Sequence, residues 1–142
     1  MKKITIALIC ILSFVYCKAQ TNENADSKPI DTLHINIKDK RFFEAERNAD
    51  NKLQFKEVRG ITDSSKTLTI ELTYSNGAGA MLKILNPFEE QLVYKAELYS
   101  YKKKDYLETS TIPVYPKLSS FETWPYKIDQ IRLTGFKLVK IH

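Results

Sequence analysis

Alternation of apolar and polar residues is the main structural signal along this chain. It is clearest in residues 67–74, where apolar side chains occupy every second position: Leu68, Ile70, Leu72 and Tyr74. A period of two residues is typical of a β-strand with one buried face. The intervening threonines, which are β-branched, also favour a strand. The segment therefore predicts a strand with one face in the core.

The same period recurs along most of the chain. The other predicted strands cover residues 33–37, 53–58, 80–85, 91–101 and 128–141. Residues 75–79 (Ser-Asn-Gly-Ala-Gly) tolerate positive φ and predict a hairpin turn. Asn86 and Pro87 end the next strand, because proline has no backbone N–H for a ladder. In the last strand the apolar parity changes at Gly135, which predicts a β-bulge.

One segment favours a helix instead. In residues 39–53 the apolar residues Phe42, Ala45, Ala49 and Leu53 have helical spacing, and Asp39 precedes them as the candidate N-cap. The alternation there has no clean apolar face. We expect one short helix in this segment.

Together these elements predict a mainly β protein. Roughly six to eight strands, with turns every 8 to 14 residues, are typical of an antiparallel two-sheet sandwich. A small closed β-barrel is the alternative. We expect one such domain over residues 32–142, preceded by a flexible polar leader at 20–31.

The N-terminus has the three parts of a secretory signal peptide. Lys2 and Lys3 precede an apolar stretch at residues 4–16, and the small residue Ala19 ends the segment. The apolar stretch spans about 20 Å as a helix, less than the roughly 30 Å of a bilayer core. We therefore expect cleavage after residue 19, export to the periplasm or medium, and no transmembrane helix in the mature chain. Lipid attachment at Cys17 is the minority alternative, since the preceding Tyr16 is larger than such sites favour.

Removing this segment changes the composition. The whole chain of 142 residues has 22 basic and 17 acidic residues, a net charge of +5. Residues 1–19 hold three lysines, no acidic residue and both cysteines, so the remaining 123 residues carry 19 basic and 17 acidic groups, a net +2, and no cysteine. The histidines are His34 and His142. We expect no metal site, no cofactor and no thiol chemistry.

Two further chemistries receive weak support. Three lysines at 102–104 lie among tyrosines, a combination that binds single-stranded nucleic acid, but the small net charge and the predicted export argue against that partner. Carboxylates such as Glu89, Glu97 and Glu122 leave open a small hydrolase, or an inhibitor-like protein, acting on cell-wall polymer.

Residues 109–126 form the most unusual stretch. They contain three prolines, the only tryptophan and three other aromatic residues. One hypothesis is an aromatic platform of Tyr115, Trp124 and Tyr126 that binds a sugar ring or an extended peptide. The other, which we favour, is that Phe121 and Trp124 close the end of the core, because large aromatic residues are mostly buried.

Three segments carry a resemblance to a known class of proteins. The turn at Asn86-Pro87-Phe88 entering a long strand, with residues 109–114 and 121–125, resembles small exported bacterial immunoglobulin-like β-sandwich proteins of uncharacterised function. The resemblance covers roughly residues 66–140. It implies a fold and a compartment, and it transfers no functional residue. The resulting expectation is a non-enzymatic envelope protein that contacts a protein or a glycan through its loop end.

Overall fold

The chain folds into β-strands joined by turns. A computed structural model describes residues 29–50, 52–75, 79–100 and 103–141. Within these ranges there are nine strands and no helix: β1 Leu33–Asn36, β2 Lys40–Arg47, β3 Leu53–Val58, β4 Thr67–Ser75, β5 Gly79–Leu85, β6 Gln91–Ser100, β7 Asp105–Thr109, β8 Ser119–Trp124 and β9 Gln130–Val139. The prediction of a mainly β protein is confirmed.

The strands form two antiparallel sheets around one core. The four-stranded sheet has the order β1-β9-β6-β7, and the five-stranded sheet has the order β3-β2-β4-β5-β8. Inward side chains from both sheets make up a single hydrophobic cluster, including Ile35 and Leu92 from one sheet and Ile70 and Ile84 from the other. Two facing sheets with a shared core are the arrangement of a β-sandwich.

The helix expected at residues 39–53 is wrong. Strand β2 lies between β3 and β4 and pairs antiparallel with both, so its backbone groups are satisfied by two neighbours. Its side chains follow the two-residue period, with Phe43 and Ala45 buried. Ala49 is exposed in the turn to β3, and Leu53 begins that strand. Pairing on both sides thus outweighs the helical spacing, which is a coincidence of residues on two different strands.

The bulge predicted at Gly135 is confirmed. Val93 pairs with Lys137 and Lys95 with Thr134, so two residues of β9 face the single residue between Val93 and Lys95. Gly135 has a φ of 63°, the left-handed conformation that glycine adopts with least strain. The extra residue rotates the strand so that Leu133 and Phe136, on opposite parities, are both buried.

The chain joins the sandwich just before β1. Ile30 and Phe55 exchange two backbone hydrogen bonds, of 3.1 and 2.9 Å. Ile30, one of the last residues of the predicted leader, is therefore paired with the sandwich. The predicted signal segment with Cys17, the hairpin tip at 76–78, Lys102 and His142 lie outside the described residues. In the described part of the chain, we find no helix with the length and apolar character needed to span a membrane.

Candidate functional site

The segment 109–126 is partly a strand. Its second half forms β8, which pairs with β5 at the edge of the five-stranded sheet. Alternation along β8 turns Trp124 inward, where it is 6% exposed, and Phe121 outward, where it is 54% exposed. The indole N–H of Trp124 donates to Thr109 Oγ1 at 3.2 Å. Burial in the core was therefore correctly expected for Trp124 and wrongly expected for Phe121.

The other two aromatic residues of the predicted platform lie apart. Tyr115 precedes β8 at the end beside Asn86, whose side-chain amide donates to the Tyr115 carbonyl at 3.2 Å. Tyr126 follows β8 at the other end, where Trp124 faces Ala80. A strand of this length separates its ends by about 17 Å. Tyr115 and Tyr126 are both 55% exposed, and their role in binding stays a prediction.

A buried hydrogen bond joins the two sheets next to β8. Tyr94 on β6 donates its hydroxyl to Glu122 Oε1 on β8 at 2.5 Å. The backbone N–H of Ile112 donates to the same oxygen at 2.9 Å. Burial, and then the neighbouring carboxylate, raise the pKa of Tyr94 far above its usual value. The tyrosine therefore stays a neutral donor, and Glu122 has a structural contact rather than an open approach to substrate.

Tyr94 was not a candidate in the sequence. Its parity with Leu92 and Ala96 indicated an inward side chain, but the acceptor that satisfies its hydroxyl is 28 residues away. A hydrogen bond between two sheets has no local signal.

Asn86 holds the turn at the N-terminal end of β8. Its side-chain amide donates to the carbonyls of Glu90 and Val114 at 2.9 and 3.0 Å, and its side-chain oxygen accepts from the Phe88 N–H at 2.9 Å. The sequence identified Asn86 only as the end of a strand. In the structure this fully buried side chain anchors the turn that leads into β8.

The remaining carboxylates of the hydrolase alternative have separate partners. Glu97 accepts two hydrogen bonds from the Arg132 guanidinium, at 2.6 and 2.8 Å. These bonds lower the pKa of Glu97. Glu89 lies 3.0 Å from Lys117 Nζ in an exposed ion pair. With Glu122 bound by Tyr94, the three acids do not form one site, and hydrolysis stays a prediction without a structural argument in its favour.

The structure also describes clefts away from β8. One of about 530 Å³ lies beside the bulge and is lined by charges of both signs, Asp31, Asp50, Lys52 and Lys137. This mixture does not select an anion or a cation. Among the described residues, no group of three His, Cys, Asp or Glu side chains is placed to hold a metal ion.

Exposed apolar side chains are most frequent in one stretch of the sequence. Eleven large hydrophobic residues are exposed among those described, and six of them fall in the short stretch between positions 107 and 126: Leu107, Ile112, Tyr115, Leu118, Phe121 and Tyr126. We refer to these six residues as the 107–126 surface. Exposed apolar residues that adjoin one another often mark an interaction site, and Leu118 and Phe121 lie beside and on the same edge strand. This surface is the candidate functional site.

Comparison of the chain with protein-family models, with curated proteins and with solved structures finds no match.

Proposed function

We propose that the protein is a non-enzymatic contact module of the cell envelope that binds another polypeptide through the 107–126 surface. The observation that supports this proposal is the concentration of exposed apolar side chains there. Burial of such side chains is the main favourable term in association between proteins.

The chemistry of the surface favours a polypeptide over a sugar. Leu107, Ile112 and Leu118 are aliphatic and offer no flat face for a sugar ring. Strand β8, which carries part of the surface, pairs only with β5 and leaves its other edge open within the described chain. Open strand edges bind extended polypeptide through backbone hydrogen bonds.

Export is part of the proposal. The order of lysines, apolar stretch and small residues in positions 1–19 supports delivery to the periplasm or medium. Attachment by lipid at Cys17 is the alternative route to the envelope. Either way, the 107–126 surface works outside the cytoplasm.

We also propose a likeness to immunoglobulin-like domains. Nine strands divided four and five, as here, support it, because variable-type immunoglobulin domains have the same division. The pairing of the first strand with the last departs from the immunoglobulin strand order. The proposed likeness is therefore one of two-layer architecture.

Site-specific cross-linking tests the function. A photoreactive phenylalanine analogue replaces Leu118 in the cells that produce the protein, and the matched control places it at Lys56, an exposed residue on the opposite edge strand β3. We expect discrete protein adducts from position 118 and none from position 56. Equal labelling at both positions, or no adduct at 118, would contradict the proposed function.

A further inference from the structure

Three of the four edge strands have features that block further pairing. In β3, both backbone groups of Phe55 are bonded to Ile30. In β7, Asp105 and Glu108 are exposed charges. Strand β1 is short, and its His34 carbonyl accepts a hydrogen bond from Arg41 at 2.8 Å. Short strands, charges and covering groups are the usual protection of sheet edges.

Strand β8 has none of these protections among the described residues. Its sequence, Ser-Ser-Phe-Glu-Thr-Trp, contains no lysine and no proline, and its single charged residue, Glu122, is buried. The strand has six residues, a typical length for a strand within a sheet. An edge of ordinary strand length that is uncharged and partly apolar is a template for another strand.

One hydrogen bond shows to which side of β8 each backbone N–H and C=O group points. The Asn86 N–H donates to the Leu118 carbonyl at 3.0 Å, so Leu118 faces β5. Backbone groups alternate sides along an antiparallel strand. It follows that the N–H and C=O groups of Ser119, Phe121 and Thr123 point away from β5, toward the open edge.

The outward-pointing residues on the two sides of Phe121 are chemically alike. A small hydroxyl residue lies two positions before it and another lies two positions after it. An antiparallel copy of β8 centred on Phe121 would place Phe121 opposite itself and Ser119 opposite Thr123. This register uses all three outward positions and allows about six backbone hydrogen bonds.

The side chains suit this register on both faces. On the outer face it pairs two aromatic rings and two sets of hydroxyls, which are favourable cross-strand pairs. On the inner face Glu122 would lie opposite Ser120 rather than opposite another carboxylate. Leu118, which is 58% exposed, would lie opposite Trp124 at each end of the paired segment.

We infer that the polypeptide bound at this edge is a second copy of the chain, paired β8 to β8 in antiparallel register about Phe121. This inference rests on the proposed function and specifies its partner. The two five-stranded sheets join into one sheet of ten strands related by a two-fold axis, so the contact closes on itself as a dimer.

Analytical ultracentrifugation of the purified protein over a wide concentration range tests the inference. We expect a monomer–dimer equilibrium, and we expect Phe121→Lys to raise the dimer dissociation constant at least about tenfold by placing two like charges opposite each other. The matched control is Val139→Lys, the same kind of change at an exposed apolar residue of β9 outside the 107–126 surface, which should leave the constant unchanged. A monomer at every concentration, or equal effects of the two substitutions, would overturn the inference.

A charge pair tests the register. Residues 119 and 123 lie about 13 Å apart within one strand but opposite each other across the two-fold axis. Ser119→Lys and Thr123→Lys combined in one chain should weaken the dimer, whereas Ser119→Lys combined with Thr123→Glu should restore it. Equal dissociation constants for the two double variants would refute this register.

The two proposals can fail separately. Adducts from position 118 with a different protein, together with a monomer in the centrifuge, would leave the proposed function standing and remove the inference. An adduct of twice the chain mass supports both.

Discussion

Tyr94 and Glu122 show how single residues hold the two sheets together near the candidate surface. Each lies on a different sheet, and each is buried. A buried carboxylate is costly unless hydrogen bonds compensate it, and Glu122 receives one from Tyr94 and one from the backbone of Ile112. The pair therefore fixes β8 and residue 112 relative to the opposite sheet.

Tyr94→Phe removes the hydroxyl and leaves Glu122 with one donor. Because a hydrogen bond to a charged group contributes about 1.5–3 kcal/mol, we expect the free energy of unfolding at pH 8 to fall by that amount. Urea denaturation followed by circular dichroism measures it. Tyr115→Phe, at an exposed side chain, is the control and should change stability by less than about 0.5 kcal/mol.

The effect of Tyr94→Phe should depend on pH. The pKa of Tyr94 is raised in the folded protein, so above about pH 10 the unfolded chain loses this proton while the folded chain keeps it. The stabilisation is therefore complete below pH 10 and declines above it, by up to about 1.4 kcal/mol per pH unit. We expect the gap between wild type and Tyr94→Phe to shrink from pH 10 to pH 11. A constant gap would contradict the raised pKa.

At the scale of elements, glycines mark the two places where the sheets need unusual backbone. Gly79 begins β5 with a φ of 82°, and a Cβ there would lie 2.1 Å from the Trp124 carbonyl oxygen. Gly135 makes the β9 bulge, where a Cβ would meet no atom closer than 3.5 Å. At position 79 a side chain is disfavoured both by this close contact and by the positive φ. At position 135 only the positive φ disfavours it.

Alanine substitutions at three glycines should therefore differ in how much stability they cost. We expect Gly79→Ala to cost about 3 kcal/mol or more and Gly135→Ala about 1–2 kcal/mol. Gly60→Ala is the control, because Gly60 lacks a positive φ and has open space around it, and it should be neutral or slightly stabilising. Thermal unfolding of the three variants gives the order. Equal losses at positions 60 and 135 would show that the bulge conformation is not strained for alanine.

The strands also show how much of the structure could be predicted from the sequence. The sequence predicted the strand β5, the inward residues of β4 and β6 apart from Tyr74, which is 39% exposed, and the bulge in β9, because alternation and glycine placement are local. It failed for β2, where residues of two strands mimic a helix. Only the neighbours on each side of β2 decide between these readings.

At the scale of the whole molecule, the two sheets share one core. Side chains such as Leu92 in one sheet and Leu82 in the other belong to the same hydrophobic cluster, and each is fully buried. Neither sheet can lose its partner without exposing this cluster to water. The described strands should therefore unfold as one cooperative unit.

The only tryptophan allows a direct test of this expectation. Trp124 fluorescence reports on the β8 edge, and circular dichroism reports on the strands of both sheets. We expect the two signals to give the same urea midpoint and slope at low protein concentration. An earlier midpoint for fluorescence would show that β8 separates from the sandwich before the rest unfolds.

The sequence by itself determined the strand class, the faces of the central strands, the bulge, and the lack of cysteine in residues 20–142. These follow from period, composition and the conformational range of glycine, which are properties of neighbouring residues. The tertiary structure decided that Trp124 is buried and Phe121 exposed, that Tyr94 meets Glu122, and that β8 is an unprotected edge. A period tells which side chains share a face, but only the pairing of distant strands decides which face and which edge are covered.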